Sequence, residues 1–195
     1  MPLPRFNRLD PITQRHILEV AKIHFAQNGF TNTSYNSLIL DTGISKTSFY
    51  LYFDGKEDLY QEVLKTIRQR LFEVLGDWVQ VKSKKEFWSN LAKKSKELAT
   101  HLQQNPLDLQ LAQPALFEAE SEDAKRWILD LIKNGQEIGI IRSDLDLELI
   151  FLATISVFQA IDKWSLKILN SGKNFSHEAA WSLLKGLWQP IHRKD

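Results

Sequence analysis

Between Ser34 and Lys56 this chain of 195 residues concentrates side chains suited to recognition rather than catalysis. In the run SYNSLILDTGISKTSFYLYFDGK, Lys46, Thr47, Ser48, Tyr50 and Tyr52 supply an amine and four hydroxyls within seven residues. Short hydroxyl and amine groups of this kind reach base edges and phosphates. Elsewhere no catalytic spacing occurs. The five histidines, at 16, 24, 101, 177 and 192, show no i, i+4 pair and no glutamate placed for hydrolysis. There is no phosphate-cradling glycine loop, no dinucleotide motif and no serine elbow. Asp144, Asp146 and Glu148 alternate like cation ligands, but the glycine and later glutamate of a calcium loop are missing, so they read as helix-capping carboxylates. No metal, cofactor or enzymatic activity is expected.

The elements that must position the polar set are two short helices and a tight turn. Gly43 follows the first helix where a positive φ is wanted, and Ser45 then caps the second. Leu38, Ile39, Ile44 and Phe49 are spaced to bury one side of the pair, which leaves the donors outward. That distribution is what a helix-turn-helix needs when its second helix lies in the major groove of double-stranded DNA. Ser34, Tyr35 and Asn36, at the start of the first of these helices, join Ser45, Lys46, Thr47, Ser48, Tyr50 and Tyr52 as expected DNA contacts. Lys56 opens the next helix, where the macrodipole disfavours a cation, and is expected to meet a phosphate.

Residues 17–64 resemble the DNA-binding domain of the TetR family of bacterial transcriptional regulators. The first helix carries the pattern in Ile17, Leu18, Ala21, Phe25 and Gly29. The core follows as Thr42-Gly43-Ile44-Ser45-Lys46, Phe49-Tyr50, Tyr52-Phe53 and Lys56-Glu57. About a quarter of the chain is covered, and the run from Gly43 to Leu59 is highly specific. Ile39 stands where a small alanine is usual and Thr47 where glycine is common, so base preference does not carry over from any relative.

Composition sets bounds on the rest. With 43% hydrophobic and 25% charged residues the chain can bury a full core in one or two domains. It has no cysteine, which fits a reducing compartment. The first ten residues, MPLPRFNRLD, lack the apolar stretch of a secretory signal. The longest mostly apolar run, Leu149 to Ile161, is too short to span a membrane. A cytoplasmic location is expected. Net charge is only +1; residues 1–56 hold six Lys/Arg against four Asp/Glu, and the remainder 19 against 20. DNA binding must then rest on local placement of cations rather than bulk charge.

Taken in order, the chain predicts an all-α fold of about nine helices in two domains. Residues 1–54 form the helix-turn-helix domain, behind a flexible N-terminal arm whose Arg5 and Arg8 read as solvated, with contact to a minor groove or phosphates as the alternative. Residues 55–195 form a helical body for effector binding and dimerisation. Asp10 and Pro11 open the first helix, and Asn28-Gly29 close it. Helix four is expected from Gly55 to about Val81, with Leu59, Val63, Ile67, Leu71 and Trp78 on one side. The acidic run from Glu118 to Asp123 reads as an exposed junction with Ser121 as a cap, and the lysines from Lys82 to Lys96 as a solvated face.

The last two helices carry more apolar surface than a small bundle uses. A two-fold copy would cover Ile150, Val157 and Ile161 on helix eight, and Ala180, Leu183, Leu184, Leu187 and Trp188 on helix nine. Six tryptophans fall between helices four and nine; by residue type Trp127, Thr154, Ser156, Phe158 and Gln159 read equally as core aromatics with interhelical hydrogen bonds or as an effector pocket, and the resemblance favours the pocket. It implies a homodimeric repressor, released from a palindromic operator by a small apolar or amphipathic effector. Two alternatives stay open: a DNA-bound protein whose body docks a protein partner, and an α-helical enzyme with a vestigial head.

Overall fold

The computed structural model describes residues 2–116, 122–170 and 177–189. These form nine α-helices and one 3-10 turn, Phe6–Arg8, with no strand among them. The helices are α1 (Pro11–Asn32), α2 (Tyr35–Asp41), α3 (Lys46–Phe49), α4 (Lys56–Leu75) and α5 (Lys84–Gln104). They continue as α6 (Pro106–Leu116), α7 (Glu122–Glu137), α8 (Leu147–Asn170) and α9 (His177–Trp188). No helix of the described residues is long and apolar enough to cross a membrane. Residues 118–121 of the acidic run, with the Ser121 cap, lie outside the described residues.

The chain divides into two compact units, Met1–Leu71 with His101–Ala115, and Phe72–Thr100 with Leu116–Asp195. The first extends past residue 54 and takes in residues 101–115. Charge explains why those residues join it. The Asp108 carboxylate, in the first turn of α6, accepts two bonds from Arg70 Nη1 of α4 at 2.8 and 3.1 Å. Lys22 of α1 lies 3.5 Å from the same carboxylate and His101 of α5 3.6 Å. Around this cluster Ile17, Ala21 and Phe25 of α1 are buried, as are Leu59, Val63 and Ile67 of α4.

In the second unit the aromatics form one connected core. Trp78 meets Trp127 edge-on at 5.7 Å and Phe87 at 5.1 Å. Phe87 touches Trp88 and Trp188, and Trp88 touches Trp181. Buried indole nitrogens need acceptors, and each finds one in the protein. Trp78 donates to Asn134 Oδ1, Trp127 to the Gly76 carbonyl and Trp188 to Thr154 Oγ1. Around this core α8 packs against both α7 and α9.

Helix α4 ends at Leu75, short of the expected Val81. Gly76 follows with φ +59°, the left-handed turn that terminates a helix, and buried Lys94 donates to the freed Leu75 carbonyl. Burial pushes the Lys94 ammonium below its ordinary pKa. Trp78, placed on α4 by periodicity, is therefore buried beyond the helix end. The alternating acids before α8 are not a cation site. Asp144 pairs with Arg142 at 2.7 Å, and Asp146 accepts from the amides of Glu148 and Leu149 at the start of α8.

Candidate nucleic-acid interface

The recognition surface is assembled by local capping. Asp10 accepts from the Ile12 and Thr13 amides with Pro11 next in line, which starts α1 where expected. Ser34 accepts from the Ser37 amide and opens α2. Gly43, at φ +69°, turns the chain after α2, and Ser45 accepts from the Ser48 amide to start α3. Only four residues of the second helix are regular. Beyond Phe49 the coil tightens, with Leu51 donating to the Ser48 carbonyl and Tyr52 to the Phe49 carbonyl.

Burial sorts the two faces. Leu38, Ile39, Phe49 and Phe53 are buried, so Ile39 uses its extra bulk inside the head. Ser34, Asn36, Ser45, Lys46, Thr47 and Tyr50 are exposed; Tyr35, Ser48 and Tyr52 are half-buried. Ser48 also accepts through its hydroxyl from Ser45 at 2.8 Å. The Tyr35 ring stands edge-on to Phe49 and to Tyr50, both at 5.9 Å. Burial pushes the Tyr35 phenol pKa up, with Tyr50, Asp58 and Asp54 adding to the effect, and its hydroxyl is buried without a hydrogen-bond partner. From α1, His16 bonds the Thr42 carbonyl at 3.1 Å and His24 meets Asp41 at 2.8 Å, which fixes the turn against α1.

Lys56 departs from expectation. Its ammonium spends its three donors on the carbonyls of Phe30, Thr31 and Thr33, at 2.7, 3.2 and 3.0 Å, and sits 4.6 Å from the Phe30 ring centroid. The reason lies in Gly29, whose φ of +71° breaks α1 and leaves carbonyls to be satisfied beyond it. A phosphate here would have to displace one of these bonds. Replacing Lys56 with methionine is therefore expected to lower the stability of the first unit by about 2 kcal/mol. The salt dependence of DNA binding should stay unchanged. Urea melts beside binding isotherms at several salt concentrations check this; a slope lower by about one ion with unaltered stability would restore the phosphate role.

The arm also departs from the flexible reading. Leu3 donates its amide to the Tyr52 carbonyl at 2.8 Å. Phe6 is 2% exposed, its ring 4.7 Å from that of Phe53. The only sequence signal for this was one aromatic residue in a stretch without periodicity.

Residues 17–63 match the family model described as bacterial regulatory proteins, tetR family. The chain carries a DNA-binding domain of the tetR family. It is a DNA-binding transcriptional regulator with an all-α fold. The HTH-type transcriptional repressor KstR2 of Mycobacterium tuberculosis is 28% identical over 145 residues, covering 69% of this chain and 72% of that protein. The HTH-type transcriptional regulator AcrR of Shigella flexneri is 31% identical over 62 residues, 32% of this chain and 29% of that one. Among solved structures, a chain from Shewanella sp. PV-4 assigned to the tetR family superposes with a TM-score of 0.62 at 17% identity. It covers 90% of this chain and 96% of its own, a likeness of fold.

The residues expected to line an effector pocket are not all brought together. Trp127, Thr154 and Phe158 belong to the aromatic core, Phe158 through its 6.3 Å contact with Trp188. Ser156 and Gln159 are exposed, and Ser156 bonds back to the Leu152 carbonyl. Helical spacing explains the split: Ile150, Phe151, Thr154, Ile155 and Phe158 share the inner face, while Leu149, Leu152, Ser156, Gln159 and Lys163 share the outer one.

The expected dimer set divides in the same way. Ile150, Ala180, Leu184 and Trp188 are core residues, buried within one chain. Val157, Ile161 and Leu187 are half-buried. Leu183 alone of that set is exposed, and it shares its exposure with Leu149, Leu152 and Trp164, which the expected set omitted.

Proposed function

We propose that this regulator is a homodimeric repressor that reads a palindromic operator in the cytoplasm and is released by a small apolar or amphipathic effector. The observation that carries the reading is the sorted surface of α2 and α3, with apolar side chains buried beneath exposed hydroxyls and the Lys46 amine. In this reading residues 1–54 are the DNA-binding domain and residues 55–195 the effector and dimerisation domain. Lys46, Thr47, Ser48 and Tyr50 meet base edges, and Ser34, Asn36, Ser45 and Tyr52 hold the backbone, while Tyr35, its hydroxyl buried, supports the Tyr50 ring. The likeness to KstR2, named a repressor, supports the sign of regulation.

The exposed apolar positions Leu149 and Leu152 of α8 and Leu183 of α9 support a two-fold contact through these helices. Three indole N–H groups of the second unit are already bonded within the protein. A guest among these rings would meet ring faces rather than free donors, which favours an apolar effector. Such a molecule acts only by binding the DNA-free state better, and operator DNA must then weaken its binding by the same factor.

Selection from random duplex DNA tests the proposal. Two half-sites related by a two-fold axis, their centres about 10 base pairs or a multiple apart, are expected. A selected site without that symmetry would overturn the dimeric reading. Apolar compounds titrated into the complex should lower operator affinity. If none does while a protein partner does, the effector reading fails.

A further inference from the structure

We propose that Arg5 and Arg8 clamp DNA phosphates beside the recognition helix, on an arm that the fold holds ready for that contact. The proposal rests on the DNA-binding role of the head and extends it to residues outside the helix-turn-helix.

The arm is built into the head at the end of the recognition segment. Leu3 is fixed to the Tyr52 carbonyl, and Phe6 is enclosed against Phe53, itself 5.6 Å from Phe49 of α3. Three further backbone bonds close the turn, from the amides of Phe6, Arg8 and Leu9 to the carbonyls of Leu3, Arg5 and Phe6. Arg5 is two residues from the Leu3 anchor, hence within about 7.6 Å of it along the Cα trace. Both arginines are exposed. No acidic residue occurs before Asp10, and among the described residues neither guanidinium pairs with a carboxylate.

The charge balance of the head gives these two residues weight. Residues 1–56 hold six cations and four acids, so without Arg5 and Arg8 the count is four against four. Of the remaining cations, Lys56 is spent on carbonyls and Lys22 is buried between Glu19 and Asp108. Only Lys46 and Arg15 stay outside such contacts. A surface that must neutralise phosphates thus draws half of its available cations from the arm. Because the arm is ordered before DNA arrives, its ordering does not count against binding.

Binding isotherms for the full chain on its selected duplex and on random duplex, at several salt concentrations, test this. Replacing both residues, Arg5→Ala with Arg8→Ala, should lower the log–log salt slope by about 1.8. The same counterion rule puts the affinity loss at 0.15 M salt on the order of 30-fold. Both duplexes should lose alike, since phosphates carry no sequence. The pair Arg5→Lys and Arg8→Lys should retain the slope. Phe6→Ala, with both arginines kept, should retain the slope but bind more weakly, because the arm must then order on binding. A double alanine variant with a native circular dichroism spectrum and an unaltered slope would overturn the proposal. So would a loss confined to the selected duplex, which would indicate base contacts. Failure of the wild-type chain to bind any duplex would instead remove the DNA-binding role itself.

Discussion

Replacing Asp108 with alanine is expected to destabilise the first unit by about 3–5 kcal/mol, the range for removing one partner from a buried ion cluster. The carboxylate is 1% exposed and takes both oxygens to Arg70. Lys22 and His101 approach it from two other helices. Without it, Lys22 and Arg70 retain only Glu19, at 2.6 and 3.6 Å, and two cations share one half-exposed carboxylate. Asp108→Asn keeps the shape but removes the charge, and should cost nearly as much. Replacing Asp108 and Arg70 together by leucine should recover most of the loss, since apolar substitutes for a buried pair are often neutral. The chain offers a means of assigning the effect. All four tyrosines lie in the first unit and all six tryptophans in the second. Helicity followed by circular dichroism should therefore fall at denaturant concentrations where tryptophan emission has yet to move. A loss below about 1 kcal/mol, the scale of an exposed pair, would show that the cluster is not a structural lock.

What was legible in the sequence was local. Asp10, Ser34, Gly43 and Ser45 act on neighbours within a few residues, so their identities alone placed α1, α2 and α3. The Asp108 cluster was not legible, because its partners Lys22 and Arg70 lie far along the chain and each reads singly as a solvated charge. Lys56 was read by its position on α4, while its actual partners belong to the end of α1. Helix α8 hid its orientation for a different reason. Leu149 and Leu152 are as apolar as Ile150 and Phe151, so periodicity could not separate the face that meets α7 and α9 from the outer one. That ambiguity put core residues into the expected dimer set.

Leu183→Glu and Leu184→Glu, adjacent on α9, should therefore have opposite consequences. Leu184 is 1% exposed, and a carboxylate in its place would lose the packing of a leucine and bury a charge without a partner. The cost is at least about 4 kcal/mol, enough to unfold a marginally stable unit. Leu183 is 60% exposed, and within one chain its replacement should change stability by no more than about 0.5 kcal/mol. In a two-fold dimer through α8 and α9, however, each substituted residue meets the same patch of its copy. Two carboxylates then enter an apolar contact together. Leu183→Glu should give a folded monomer by sedimentation, with native helicity by circular dichroism and operator affinity reduced because the two heads are no longer linked. Leu184→Glu should lose helicity at any protein concentration. Leu149→Glu with Leu152→Glu should reproduce the Leu183 result, since they share its exposure on the neighbouring helix. A Leu183→Glu chain that remains a dimer, beside a Leu149→Glu, Leu152→Glu chain that does the same, would place the two-fold contact away from α8 and α9.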